Sequence, residues 1–160
     1  PILAALLGVF VVATVVLASL YATKDDGGLG PDSGLGEQAL SSAKTYAVDL
    51  VSYSAGGYAG LDERIRSIST PEFADRYIES SSDGRLGNDE AEAVSKGTAL
   101  DAGLRSISPE QAVVLVALEQ KVVSPQLPEA GEEGVDYLRA MLMTLDRDGD
   151  RWVISDLDLL

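Results

Sequence analysis

The chain has 160 residues and contains neither cysteine nor histidine, which excludes disulfide bonds, thiolate chemistry and the usual general base. Its 12 Lys and Arg against 26 Asp and Glu give a net charge of −14, which disfavours nucleic acids and anionic head groups as partners. No phosphate-binding glycine loop, nucleophile motif or metal-ligand spacing occurs, so the sequence predicts no cofactor and no metal site.

The first predicted element is a transmembrane helix over residues 1–21, which contain no charged side chain. At about 1.5 Å per residue such a helix is roughly 30 Å long, the thickness of a hydrocarbon core. A signal peptide would have a shorter apolar core, and a buried helix of this length would have a polar face. Gly8, with Ala4 and Ala5 nearby, offers a patch for close packing against another membrane helix, unless these small residues face lipid.

The segment after the predicted anchor is poor in basic residues. Only Lys24 is basic there, so the positive-inside rule places the chain from Ala22 onward outside the cytoplasm. Residues 22–36 are rich in glycine and predict a flexible linker, and residues 37–160 are long enough for one compact domain. The sequence thus predicts a single-pass protein of the inner (plasma) membrane with an extracytoplasmic C-terminal domain.

Helical periodicity dominates the first half of the predicted domain. Residues 37–54 predict an amphipathic helix, and residues 59–68 predict a shorter one. Thr70 followed by Pro71 is typical of a helix start. Residues 80–88 are rich in serine and glycine and predict a loop.

The second half of the domain changes to a period of about two, which is typical of strands. Asp148-Gly149 is a strong hairpin signal between the last two of these stretches. The predicted strands cover residues 98–104, 111–124, 136–146 and 151–159. Helices followed by such strands predict an α+β domain, with about three helices packed on one face of a curved four-stranded antiparallel sheet.

Four aromatic residues of the helical half are candidates for lining a cavity between the helices and the sheet. They are Tyr46, Tyr53, Phe73 and Tyr77. Aromatic residues at helical spacing more often belong to a core, so both interpretations stay open. Trp152 lies on the last predicted strand and is interpreted as a core residue.

The acidic residues form no convincing catalytic or metal-binding motif. Counting from Asp146, the sixth and twelfth positions are Arg151 and Leu157, where an EF-hand loop requires Gly and Glu. Asp49 and Asp101 are the aspartates least at odds with an acid–base role, which requires a buried carboxylate. Nothing in the sequence indicates such burial, so a non-enzymatic protein is predicted.

A series of short patterns occurs in a fixed order along the chain. On the strands they are the run 112–116 (AVVLV) leading to Gln120, the pairs Leu138-Arg139 and Met143-Thr144, and the run 151–157 (RWVISDL). On the helical side they are Ser52-Tyr53, Leu61-Asp62, Phe73 and Tyr77. In this arrangement the chain resembles, over nearly its whole length, the Mce-associated membrane proteins of actinobacteria. It departs from that family at residues 54–58 (SAGGY), where the family has an acidic and an aromatic residue.

The resemblance implies a cone-shaped sheet with helices on its concave side, similar to nuclear-transport-factor-two-like domains. It also implies a non-enzymatic accessory subunit of an Mce-type lipid or sterol import complex, with the transporter permease and Mce subunits as partners. Three alternatives stay open. They are a lipid-binding module that uses the cone cavity, a cone-fold enzyme, and an assembly subunit of a secretion or conjugation machine with the same anchor-and-cone layout.

Overall fold

The computed structural model describes residues 30–31, 33–126 and 133–160. These residues form four α-helices and five β-strands. The helices are α1 (Gly34–Val51), α2 (Tyr58–Ile68), α3 (Pro71–Ser80) and α4 (Ser82–Glu90). The strands are β1 (Tyr53–Ser54), β2 (Val94–Ile107), β3 (Gln111–Val123), β4 (Val135–Asp148) and β5 (Arg151–Leu159).

The predicted membrane anchor over residues 1–21 lies outside the described residues, and so does most of the linker predicted over 22–36. The same holds for Ala4, Ala5 and Gly8. Within the part of the chain that the structure describes, no helix combines the length and the apolar character needed to cross a membrane. The anchor and its packing patch therefore stay predictions.

The five strands form one curled antiparallel sheet in the order β1-β2-β3-β4-β5, so neighbours in the chain are neighbours in the sheet. The helices pack on one face, chiefly α1 against β2 and β3. The α+β architecture predicted from the sequence is confirmed. The described residues, however, form five strands rather than four and four helices rather than three. The extra strand β1 has only two residues, which pair with Ser95 and Val94 of β2.

Helix α1 begins at Gly34 rather than at residue 37, because Ser33 caps it. The Ser33 hydroxyl accepts a hydrogen bond from the Gly36 N–H at 3.0 Å. The helix ends at Val51, since Ser52 adopts an extended backbone conformation and leads into β1. The side chains that α1 buries are small on three successive turns, which lets the helix approach the sheet closely. They are Ala39, Ala43 and Ala47, followed by Leu50 and Val51.

The prediction of a loop over residues 80–88 is wrong, because α4 begins at Ser82 and continues to Glu90. Two glycines and several polar residues favour a loop on local propensity, but Arg85 makes tertiary contacts that hold the segment as a helix. Its guanidinium lies 5.0 Å from the centroid of the Tyr58 ring, and its Nη2 atom is 2.8 Å from Asp62 Oδ1. No residue of α4 is buried, so these contacts with α2 anchor the middle of the helix.

Strand β2 is longer than the stretch predicted over residues 98–104, and its alternation is interrupted. The pairing of β2 with β3 skips Leu100, which marks a β-bulge with one extra residue. Leu100 is therefore 52% exposed, although Ala102 and Leu104 on the same strand pack against the core. Local alternation cannot show where such an extra residue lies.

The hairpin between β4 and β5 forms where the sequence predicts it. Asp148 pairs with Arg151, and Gly149 between them has a φ angle of +61°, a left-handed conformation that favours glycine. Trp152 is buried at the start of β5, as its interpretation as a core residue requires.

The hydrophobic core lies between the inward face of the sheet and helices α1 to α3. From the sheet, the buried side chains include Val114, Val116, Leu118, Met143, Leu145, Trp152 and Ile154. From α2 and α3, they include Leu61, Ile65, Phe73 and Ala74. This packing leaves space near the C-terminal end of α1, where the candidate site lies.

Candidate ligand cavity between the helices and the sheet

Two adjoining pockets lie at the C-terminal end of α1. The helix pocket, of about 230 Å³, is enclosed by residues of all four helices. The sheet pocket, of about 310 Å³, lies between α1 and the strands β4 and β5. Leu50, Tyr53 and Tyr77 line both pockets, so these side chains lie between them. Together the two pockets reach the size of sites that take small ligands, which begins at about 300 Å³.

The sheet pocket combines apolar walls with a few polar groups at its rim. Its apolar walls are Leu50, Val51, Ala140, Met141, Leu157, Leu159 and Leu160. The polar groups are Gln120, Arg139 and the two tyrosines shared with the helix pocket. Arg139 Nε donates a long hydrogen bond of 3.4 Å to Gln120 Oε1, and the guanidinium carbon lies 5.1 Å from the centroid of the Tyr137 ring. Arg139 is therefore held from two sides at the rim.

The helix pocket is more polar, and Arg85 in its lining forms an ion pair with Asp62 that is largely shielded from solvent. The side chains of Arg85 and Asp62 are 14% and 30% exposed. Their nearest atoms, at 2.8 Å, are placed off the axis of a hydrogen bond, so the contact is chiefly one of opposite charges. This pair neutralises Arg85, and its guanidinium covers the Tyr58 ring.

Two tyrosines of the helix pocket have shifted pKa values. Burial raises the pKa of the Tyr58 hydroxyl, and the nearby Asn88 side chain opposes part of that rise. Burial also raises the pKa of Tyr77, which Arg85 opposes in part. Both hydroxyls are therefore neutral at physiological pH, and the Tyr58 hydroxyl is buried without a hydrogen-bond partner among the described residues. Tyr77 donates a long hydrogen bond of 3.5 Å to the Leu50 carbonyl.

The structure separates the four aromatic residues that the sequence groups as cavity candidates. Tyr53 and Tyr77 line both pockets, whereas Tyr46 and Phe73 line neither. The Tyr46 hydroxyl donates a hydrogen bond of 2.7 Å to the Trp152 carbonyl, which directs its ring towards the core. Phe73 is buried in the core and stacks on Tyr77, with ring centroids 5.6 Å apart. Helical spacing shows which residues share a face, but the depth of each ring depends on the sheet beneath it.

The cavity also contains polar residues that the sequence patterns do not predict as site residues. They are Gln120, Arg139, Arg85 and Asn88. Arg139 carries a signal, because it lies two residues before Met141 on β4 and so faces the same side as the core residues of that strand. A charged residue in an inward position of a strand is uncommon unless it has a partner or a ligand. Arg85 and Asn88 of α4 carry no comparable signal, since local propensity predicts a loop where this helix lies.

The acidic residues considered as catalytic or metal ligands do not converge on the cavity. Asp101 has a side chain that is 87% exposed and lies 4.0 Å from Lys44 Nζ. Asp49 does not line either pocket. At the end of β4, Asp146 accepts a hydrogen bond from Gln111, and Asp148 pairs with Arg151. Across residues 30–31, 33–126 and 133–160, no three His, Cys, Asp or Glu side chains group closely enough to hold a metal ion.

Helices on the inner side of a curled antiparallel sheet, with a cavity left between them, place this domain in the nuclear-transport-factor-two-like (NTF2-like) fold class. Solved structures with this fold are similar over most of the chain. The periplasmic domain of DotI matches with a TM-score of 0.65 at 13% identity, over 81% of this chain and 96% of that chain. An IcmL-like type IV secretion system protein from Legionella pneumophila matches with a TM-score of 0.62 at 11% identity, over 82% and 94%.

A third similar structure is an NTF2-like protein involved in plasmid conjugation. It matches with a TM-score of 0.55 at 15% identity, over 79% of this chain and 49% of that chain. The present chain thus spans about half the length of the conjugation protein. No family model matches the sequence, and no curated protein matches it either. At these identities the likeness establishes the fold, and function has to be argued separately.

Proposed function

We propose that this chain is a membrane-tethered, non-enzymatic subunit of a secretion or conjugation machine, with the NTF2-like domain on the extracytoplasmic side. The observation that supports this most is the extent of the structural likeness. The matched DotI and IcmL-like chains are covered almost end to end; the first is described as a periplasmic domain, and the second as a type IV secretion system protein. The predicted anchor over residues 1–21 fits a subunit that holds such a domain at the membrane.

The outer face of the sheet supports a role in protein contacts. Leu115 of β3 pairs with Leu142 of β4 on the side away from the helices, and Leu115 is 44% exposed. Together with Gly103 and Arg105 of β2 they border a shallow apolar depression. Apolar groups exposed side by side on a sheet face are typical of surfaces that contact other proteins.

An accessory subunit of an Mce-type lipid import complex is the second candidate. It is favoured by the run of residues 151–157 and its partner-strand pairs, which resemble the Mce-associated family. Under this hypothesis the partners are the transporter permease and the Mce subunits, and Ala4, Ala5 and Gly8 would pack against one of their membrane helices. Both candidates require a tethered cone domain, so the fold does not separate them.

Site-specific photo-crosslinking in the native host distinguishes the two candidates. The full-length chain carries a photoreactive amino acid at Leu115, and a matched chain carries it at Asp150 in the exposed turn between β4 and β5. We expect Leu115 to crosslink to membrane subunits of one secretion or conjugation machine, and Asp150 to give no such product. The crosslinked partners are identified by mass spectrometry.

Deletion of the gene provides the functional readout of the same experiment. We expect loss of substrate secretion or of DNA transfer, with restoration by the wild-type chain. Crosslinks from Leu115 to a permease or an Mce protein, with lipid uptake lost in the deletion strain, would instead establish the second candidate. Crosslinks to neither group would contradict both.

A further inference from the structure

We propose that the sheet pocket binds an acyl chain that carries a single anionic head group, with the head group on Arg139. This assignment goes beyond the proposed assembly role and does not depend on which machine the chain belongs to. Three features of the pocket carry it. They are an arginine with free donors, a side-chain network that orients this arginine, and a set of apolar residues along the pocket.

Arg139 has donors left for a ligand. Among the described residues, no carboxylate lies within 4.0 Å of its guanidinium nitrogens, in contrast to Arg66, Arg76, Arg85 and Arg151. Its Nε group is directed to Gln120, so the two Nη groups remain for an incoming acceptor. A guanidinium with both Nη groups available matches the two oxygens of a carboxylate or phosphate, which gives a paired, charge-assisted contact.

Arg139 is exposed, and a chain of hydrogen bonds that starts in the core orients its side chain. The Ser95 hydroxyl donates to the Val51 carbonyl at 2.6 Å, and Gln120 Nε2 donates to the same hydroxyl at 2.9 Å. This leaves Gln120 Oε1 facing the Nε group of Arg139 at 3.4 Å. Ser95 of β2 is buried, and Gln120 of β3 connects it to Arg139 of β4. Gln120 Oε1, the acceptor for Arg139, is therefore in place before a ligand binds. A pre-oriented donor loses less freedom on binding.

The rest of the sheet pocket suits a hydrocarbon chain. The buried Leu50 and Met141 and the half-buried Leu157 line it, together with Leu159, which is 71% exposed at its open side. An apolar chain in this space would replace water along these side chains, at about 25 cal/mol per Å² of apolar surface buried. Tyr53 and Tyr77 separate the pocket from the helix pocket, so rotation of either ring would lengthen the space available to the chain.

The net charge of −14 does not prevent this contact. Charges on the surface are screened over about 8 Å at physiological ionic strength, whereas the ligand head group would lie within hydrogen-bonding distance of Arg139. The negative field instead disfavours ligands with several charges, which is why the proposal is limited to a single anionic head. A free fatty acid and an anionic phospholipid share this chemistry.

The two methionines of the chain provide a direct test. Met141 lines the sheet pocket, and Met143 is buried two residues further along the same strand. The full chain is labelled with ¹³C-methyl methionine, placed in phosphatidylcholine nanodiscs and titrated with sodium decanoate. We expect a saturable shift of the Met141 methyl resonance while Met143 stays unchanged. n-Decanol has the same chain length without the charge and should bind about tenfold more weakly.

Variants separate recognition of the head group from general partitioning of an amphiphile. Arg139→Gln should raise the Kd for decanoate by about tenfold and abolish the preference over decanol. Lys96→Gln removes a positive charge at an exposed residue of β2 that lines neither pocket, and it should leave both affinities unchanged. The Met143 resonance reports whether each variant is folded, and Arg139→Lys provides a charge-retaining variant with intermediate affinity.

A second arm of the titration distinguishes the source of the ligand. Phosphatidylglycerol is added to the nanodiscs in place of decanoate, and a shift of Met141 there, lost in Arg139→Gln, assigns the site to a bilayer lipid. A shift with decanoate alone assigns it to a free acid. The proposal is overturned if decanoate and decanol bind wild type equally, if Arg139→Gln leaves the affinity unchanged, or if neither anionic lipid shifts Met141.

Discussion

At the scale of single residues, Gly97 of β2 marks a close approach between α1 and the sheet. A Cβ atom built on Gly97 would lie 2.4 Å from Val51 Cγ2 and 3.3 Å from Val48 Cα. Gly103 lies on the same strand beyond the bulge, and a Cβ atom there would have no other atom within 4 Å. The two glycines thus offer a matched pair on one strand, one crowded by the helix and one open.

Gly97→Ala should destabilise the domain, because Val51 and the backbone of α1 at Val48 must both move to admit the methyl group. We expect a loss of about 1–3 kcal/mol in the free energy of unfolding, the usual cost of overpacking. Gly103→Ala should be neutral or stabilising by about 0.5–1 kcal/mol, since alanine restricts the unfolded chain more than glycine does. Urea denaturation followed by tryptophan fluorescence measures both changes. Equal stabilities of the two variants would contradict the close packing of α1 at Gly97.

At the scale of elements, α4 differs from the other helices in how it is held. It buries none of its residues, and its N-cap residue Ser81 provides no side-chain cap. Its attachment rests on Arg85 and on the C-terminal end, where the Gly56 N–H donates to Asp89 Oδ1 at 2.8 Å. A helix with so few buried contacts opens at a low free-energy cost. Since α4 covers the helix pocket, its opening would also expose that pocket.

Amide exchange should therefore be fastest in α4 and slowest in α1 among the four helices of the described structure. Arg85→Ala removes the contact with the Tyr58 ring, worth about 0.5–2 kcal/mol, and should raise exchange in α4 by about three- to thirtyfold. Arg66→Ala removes the exposed pair with Asp75 and should leave α4 unchanged. Hydrogen–deuterium exchange with mass spectrometry measures these rates. Slower exchange in α4 than in α1 would show that contacts other than those of Arg85 hold it.

At the scale of the whole molecule, the net charge of −14 sets how stability depends on salt. Acidic side chains that repel one another favour the unfolded state, in which the charges lie further apart. Added salt screens this repulsion and so stabilises the fold. Salt also weakens the exposed ion pairs, but the stability lost in this way is smaller because each pair contributes little. The whole fold should therefore become more stable as salt is added.

We expect the Tm of the chain to rise by a few degrees between low and physiological salt, at about 2–4 °C for each kcal/mol gained. A variant that neutralises three exposed acidic residues without ion-pair partners in the described structure, Glu79→Gln, Glu110→Gln and Asp158→Asn, should start from a higher Tm and gain less. Differential scanning calorimetry over a NaCl series measures both curves. A Tm that falls with added salt would mean that attractive pairs outweigh the repulsion.

The sequence by itself determined the α+β class, the placement of most helices before the long strands, and the hairpin at Asp148-Gly149. Each of these has a local cause. The periods of helix and strand, a cap such as Thr70 and a turn that needs glycine are all properties of a few consecutive residues.

Only the tertiary structure decided the features that depend on segments far apart in the chain. Strand β1 exists because it pairs with β2, α4 is a helix because Arg85 meets α2, and the bulge at Leu100 shifts which residues face inward. The cavity belongs to the same group. Tyr53 and Tyr77 line it while Tyr46 and Phe73 do not, because the depth of each ring is set by the sheet. Arg139 lies at the rim of the sheet pocket, where Gln120 of β3 accepts its hydrogen bond and orients it.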